Sequence, residues 1–162
     1  MNDDDDDWPF LEIYLQDHHA GAMAGLELAR RAERANRGDT YGPELQAIVS
    51  EIAEDVASLE AIMDALDVRR DRRKDAAGWL GEKLGRLKRN GTWLAYSPLS
   101  RLVEIEGLVL GVSGKQALWE ALTESPAASS RADELERLAE RARDQRNRLE
   151  ALRRRAAREA FS

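Results

Sequence analysis

A chain of 162 residues with no cysteine and a net charge of −6 is long enough to bury a core of its own. It excludes disulfides, thiolate nucleophiles and cysteine-held zinc or iron–sulfur centres. Alanine, leucine, glutamate and arginine dominate and β-branched residues are sparse, which predicts an all-α protein. Met1 and Asn2 precede five aspartates, the reverse of a secretory signal, and no apolar run approaches the roughly 18 residues of a membrane span. The expectation is one soluble, cytoplasmic domain over 10–162, preceded by a mobile acidic stretch over 1–9. Residues 1–68 carry 17 acids and 4 bases, whereas 69–162 carry 14 acids and 21 bases. The simplest reading of that imbalance is two halves attracting each other within one bundle, which makes nucleic acid an unfavoured partner.

In chain order, Trp8, Pro9 and Phe10 open a helix expected over 10–34, with Asp7 able to cap it. Leu11, Tyr14, Leu15, His18, Ala22, Gly25, Leu26 and Ala29 fall on one stripe at 100° per residue. His18 lies near its middle and His19 on its flank. The helix stops at Asn36-Arg37-Gly38, with Arg30, Arg31 and Arg34 in its last turns, where cations suit the helix dipole. Asp39 or Thr40 then caps a second helix near Pro43, in which Leu45, Ile48, Val49, Ile52, Val56, Leu59, Met63 and Leu66 recur at three-and-four spacing. Asp55 borders that apolar face.

Residues 67–96 form a long connection. It begins with a basic cluster, Arg69, Arg70, Arg72, Arg73 and Lys74, and carries a short amphipathic helix over 75–88 with Ala76, Leu80, Leu84 and Leu87. Ser97-Pro98 is an N-cap followed by proline at the first helical position. Helix three is expected to run to Leu122, with Leu102, Ile105, Leu108, Val109, Val112, Gln116 and Trp119 facing inward. Ser130 with Asp133 reads as a capping box, and helix four presents Leu135, Leu138, Ala142, Gln145, Leu149, Leu152 and Ala156 on one face. Its ten arginines and seven acids between 131 and 159 read as a solvated surface.

Short connections after helices one and three make antiparallel hairpins, and the long one after helix two can run the length of the bundle. The expected fold is therefore an all-α four-helix bundle of ferritin-like topology with a helix-containing crossover between helices two and three. A plain up-and-down bundle with a decorated loop is the alternative. Asp17-His18-His19-Ala20-Gly21-Ala22 resembles the His-His-x-x-Ala signature of an uncharacterised ferritin-like family whose second helix carries Gln-x-x-Glu-Ile-x-x-Met. Here that register reads Asp55, Ser58, Leu59 and Ile62, so the resemblance covers about residues 10–66 and keeps the apolar positions. It implies a metal role for His18 and His19.

Di-iron carboxylate bundles place Glu-x-x-His on each of two helices. The sequence has no such pair, so no di-iron centre and no ferroxidase chemistry are expected. Walker, dinucleotide and His-Glu-x-x-His motifs are absent too. Two readings follow. The first is a non-catalytic bundle acting by self-association or through a protein partner, with Trp8, Trp79, Trp93 and Trp119 as candidate anchors. The second is a single divalent metal or small ligand held at mid-bundle by His18, His19 and Asp55, among Tyr14, Glu106, Gln116 and Gln145. Whether His18 is a hydrogen-bonded core histidine or a ligand, it is expected to be more buried than His19 and to bond a polar group of another helix, Asp55 first.

Overall fold

The computed structural model of the chain describes residues 9–69 and 96–162. The acidic stretch before Pro9 and the short helix expected over 75–88 lie outside the described residues. Among the described residues there are four long helices and no strand. They are α1, Pro9–Asn36, α2, Gly42–Ala65, α3, Pro98–Thr123, and α4, Ala132–Ala160. The expected all-α four-helix bundle is what the chain forms. No described helix is long and apolar enough to cross a membrane.

The start of α3 follows the sequence closely, because the Ser97 hydroxyl accepts from the Ser100 amide at 3.1 Å and Pro98 occupies the first turn. Two other caps differ. Tyr41 occupies the cap position of α2 without a side-chain cap, while the Asp39 carboxylate accepts from the Thr40 amide one residue earlier, at 2.6 Å. Arg131 stands where the capping box was expected, since Pro126–Arg131 winds into a 3₁₀ turn that leads directly into α4. The α1–α2 turn closes on a glycine for want of room. A Cβ on Gly42 would lie 2.8 Å from the Asn36 carbonyl oxygen and 3.0 Å from that of Arg37.

The three-and-four spacing of α2 becomes its buried face, with Leu45, Ile48, Ile52, Val56, Leu59, Ile62 and Met63 all in the core. Each fully buried Leu or Ile contributes up to about 1.5–3 kcal/mol, so this stripe is a main source of the fold's stability. Opposite it stand Leu102, Ile105, Leu108, Val112, Leu118, Trp119 and Leu122 of α3 and Leu135, Leu138, Leu149 and Ala156 of α4. On α1 the covered residues are Leu15, Leu26, Leu28, Ala29 and Ala32. A Cβ on Gly107 of α3 would meet Leu28 Cδ2 at 2.9 Å, so this glycine lets α1 approach.

Side-chain contacts fix the helix directions. Arg101, in the first turn of α3, donates to Asn36 at the end of α1, to Asp39 before α2 and to Glu159 at the end of α4. The start of α3 therefore lies at the end of the bundle where α2 also starts. Helices α2 and α3 run parallel, each adjacent pair is antiparallel, and the order is up, down, down, up, as the crossover topology requires. The α1–α2, α1–α3 and α3–α4 pairs approach most closely. The α2–α4 seam is spanned by long charged side chains, Arg141 to Glu54 at 3.0 Å and Arg148 to Glu44 at 3.0 Å and to Glu51. Acids of the first half meet bases of the second there, which is the complementarity the uneven charge predicts.

Candidate functional site

The two histidines divide their roles differently from the sequence reading. Both rings are half-buried, and it is His19 that reaches another helix, with Nε2 3.0 Å from Oε1 of Glu60 on α2. Only 15 % of the His19 side chain is exposed. His18 instead sets its ring edge-on to Tyr14, with centroids 4.5 Å apart. The Asp17 carboxylate favours the His18 imidazolium, but burial outweighs it and holds the pKa below the ordinary histidine value, which keeps the ring neutral. Burial likewise pushes the Tyr14 phenol up.

Asp55, expected beside His18, lies in a different constellation. It is 2 % exposed, and its oxygens accept from Lys115 of α3, from Arg141 of α4 and, at 3.1 Å, from the Gln145 amide of α4. Lys115 Nζ also donates to Gln145 Oε1 at 2.5 Å, and Gln145 is fully buried. One carboxylate, one ammonium, one guanidinium and one amide thus close a ring of charge-assisted bonds across three helices. Burial lowers the Lys115 pKa while the Asp55 carboxylate works to raise it. With two cations already on the carboxylate, Asp55 is a poor ligand for a third.

A second polar cluster lies nearer the end where α1 stops. Glu104 is 1 % exposed and accepts from the Tyr96 hydroxyl at 2.8 Å, while Arg31 Nε stands 2.8 Å from its other oxygen as an ionic contact. Asn36 donates to the Tyr96 hydroxyl at 2.9 Å and accepts from Arg101 Nε at 2.6 Å. The guanidinium groups of Arg101 and Arg155 each lie over the Tyr41 ring, 4.4 Å from its centroid, as cation–π contacts.

Burial raises the Glu104 pKa above the ordinary carboxylate value, against the lowering effect of Tyr96 and Arg31. Its folded-state proton is therefore held at pH values where the unfolded chain has already released it. Stability from this group is complete below the unfolded glutamate pKa of about 4.3 and is lost as pH rises through the folded value. Urea titrations across that window are expected to show wild type losing stability relative to Glu104→Gln as pH rises, with a pH-independent difference counting against the reading.

Several expected members of the mid-bundle site sit elsewhere. Gln116 is half-buried and donates to Glu120 of its own helix at 2.8 Å, so the inward position belongs to Lys115. Glu106 is half-buried with a long 3.5 Å contact from Arg153, and the buried acid of α3 is Glu104. Trp119, the one tryptophan among the described residues, is fully buried in the core, as its inward position in α3 predicted, and so is no surface anchor. Gln145 is interior as expected. The structure does not bring His18, His19 and Asp55 together, and among the described residues no three histidine, aspartate or glutamate side chains are arranged to hold a metal ion. What the arrangement offers chemically is mutual neutralisation of the interior charges. No family model matches the chain, and neither a curated protein nor a solved structure matches it.

Proposed function

We propose that the chain is a non-catalytic helical bundle that acts, in the cytoplasm, by associating with itself or with a protein partner. The observation that carries this is a set of large apolar side chains left outside the core. Phe10 is 85 % exposed and Ile13 51 % exposed on α1, and Leu110 is 62 % exposed on α3. Interior charges that are spent on one another support the same reading, because they leave the surface as the place where binding chemistry resides. Light scattering of wild type beside Phe10→Ser/Leu110→Ser tests it. The expected result is a mass above the 18.2 kDa monomer for wild type and a shift to monomer in the variant. A wild type that stays monomeric at every concentration would remove self-association and leave only a heterologous partner.

The His19–Glu60 pair favours a second reading, a single divalent metal or small polar ligand at the α1–α2 seam. A ring nitrogen and a carboxylate oxygen already meet across two helices, and His18 presents a neutral imidazole on the preceding residue, the form that binds metal. The likeness to the His-His-x-x-Ala ferritin-like signature supports it, with Glu60 taking the place expected for Asp55. Zn²⁺ at 100 times its Kd would stabilise the fold by about 2.7 kcal/mol. The test is therefore a rise in Tm in wild type that His19→Ala abolishes, and an equal response in both proteins would end this reading.

A further inference from the structure

We propose that the two inward-turned charges of α3, half-buried Lys115 and buried Glu104, set which way up the α3–α4 hairpin packs against the α1–α2 hairpin. The apolar stripes do not decide it, because Leu, Ile and Val at three-and-four spacing present much the same surface read from either end. The length of the connection does not decide it either. Residues 66–97 could span the bundle, giving parallel α2 and α3, or could turn back at once, giving the up-and-down arrangement. A bundle whose halves are symmetric in this sense needs distinct layers in its core to break the degeneracy, and a buried polar group that fixes register is the best-attested use of such groups.

The two charges sit at unequal heights, which gives them that power. At 1.5 Å per residue Glu104 lies about 9 Å from the start of α3 and Lys115 about 26 Å from it. In the observed orientation Glu104 meets Arg31 near the end of α1, and Lys115 meets Asp55 and Gln145. Turned end over end, Lys115 would lie about 26 Å from the end of the bundle where α2 finishes, whereas Asp55 lies about 15 Å from that end. An offset of about 11 Å exceeds the reach of a lysine side chain. Glu104 would then face the level of Leu15, which is fully buried and apolar. Lys115 would keep only the Gln145 amide oxygen and Glu104 only the Tyr96 hydroxyl, and both would lose the opposite charge that Asp55 and Arg31 supply, a costly arrangement for groups withdrawn from water. The observed orientation satisfies both at once.

The test uses two spin labels in the cysteine-free chain, at Ala47→Cys near the start of α2 and Leu99→Cys at the start of α3, both exposed. Wild type is expected to give one short interlabel distance. Lys115→Met/Glu104→Gln keeps volume and leaves Asp55 its bonds to Arg141 and Gln145. It is expected to add a second, longer distance, with the labels about 25 Å apart along the bundle axis instead of about 6 Å, in at least about one molecule in ten. A folded double variant with the short distance alone overturns the proposal. Should the double variant not fold, Lys115→Met alone is read the same way.

Discussion

Replacing Asp55 by leucine is expected to destabilise the bundle by about 3–5 kcal/mol, the range for removing one partner of a buried ion pair. The loss comes less from the missing bond than from what stays behind. Lys115 would keep only the Gln145 carbonyl oxygen as acceptor among its described partners, and an ammonium that has left water without an opposing charge raises the energy of the folded state alone. Arg141 would suffer less, since it keeps Glu54 at 3.0 Å in a more exposed position. For a chain of this size the change corresponds to a fall in Tm of roughly 6–20 °C. Calorimetry or urea denaturation reads it directly, and a loss under about 1 kcal/mol would mean that Lys115 is hydrated in the folded protein.

Trp119→Ala is the other substitution with a large expected effect, about 3–5 kcal/mol from lost transfer energy and the cavity left behind. The indole is fully buried, and its Nε1 has no hydrogen-bond partner in the fold. Its contribution is therefore packing, and Trp119→Phe should retain a good part of it. Leu110→Ala provides the contrast, because that residue is 62 % exposed and such substitutions usually stay within about 0.5 kcal/mol. Denaturant midpoints for the three variants separate the cases. A Trp119→Ala protein as stable as Leu110→Ala would put the indole on the surface, against the inward position that its spacing in α3 predicts.

The residues of α2 show why the fold was legible. Its periodicity is uninterrupted, and Asp55 sits beside the apolar face, so both the core stripe and the one interior acid follow from spacing. Lys115 shows where residue type misled. Leu108, Val112, Lys115 and Trp119 recur at three-and-four spacing, so the lysine holds a core position by periodicity. A long charged side chain normally reads as a surface residue that lays its stem along the protein, and the neighbouring glutamine was placed inside instead. The same competition hid Glu104 behind Glu106.

The histidines were misjudged for a different reason. A stripe drawn through α1 assumes that one face is covered along its whole length. Leu28 and Ala32 are buried against the rest of the bundle, while Phe10 and Ile13, nearer the N-terminus, are exposed. The covered sector therefore shifts along the helix, and azimuth alone could not show that His19 would be the one to meet Glu60. Of the partners of Asp55, Gln145 was expected in the same mid-bundle group, whereas Lys115 and Arg141 were not, because their meeting depends on the relative heights of three helices.

The interior polar groups are committed to one another, and a double-mutant cycle on Asp55 and Lys115 measures that commitment most directly. Asp55→Leu, Lys115→Met and the double variant are compared with wild type by urea denaturation at neutral pH. The expected result is that the double variant loses less stability than the two single losses together, by about 1–3 kcal/mol, the coupling of residues in one buried network. Losses that add to within about 0.5 kcal/mol would contradict the account, because Asp55 and Lys115 would then be independent groups and the bundle interior would be open to another occupant.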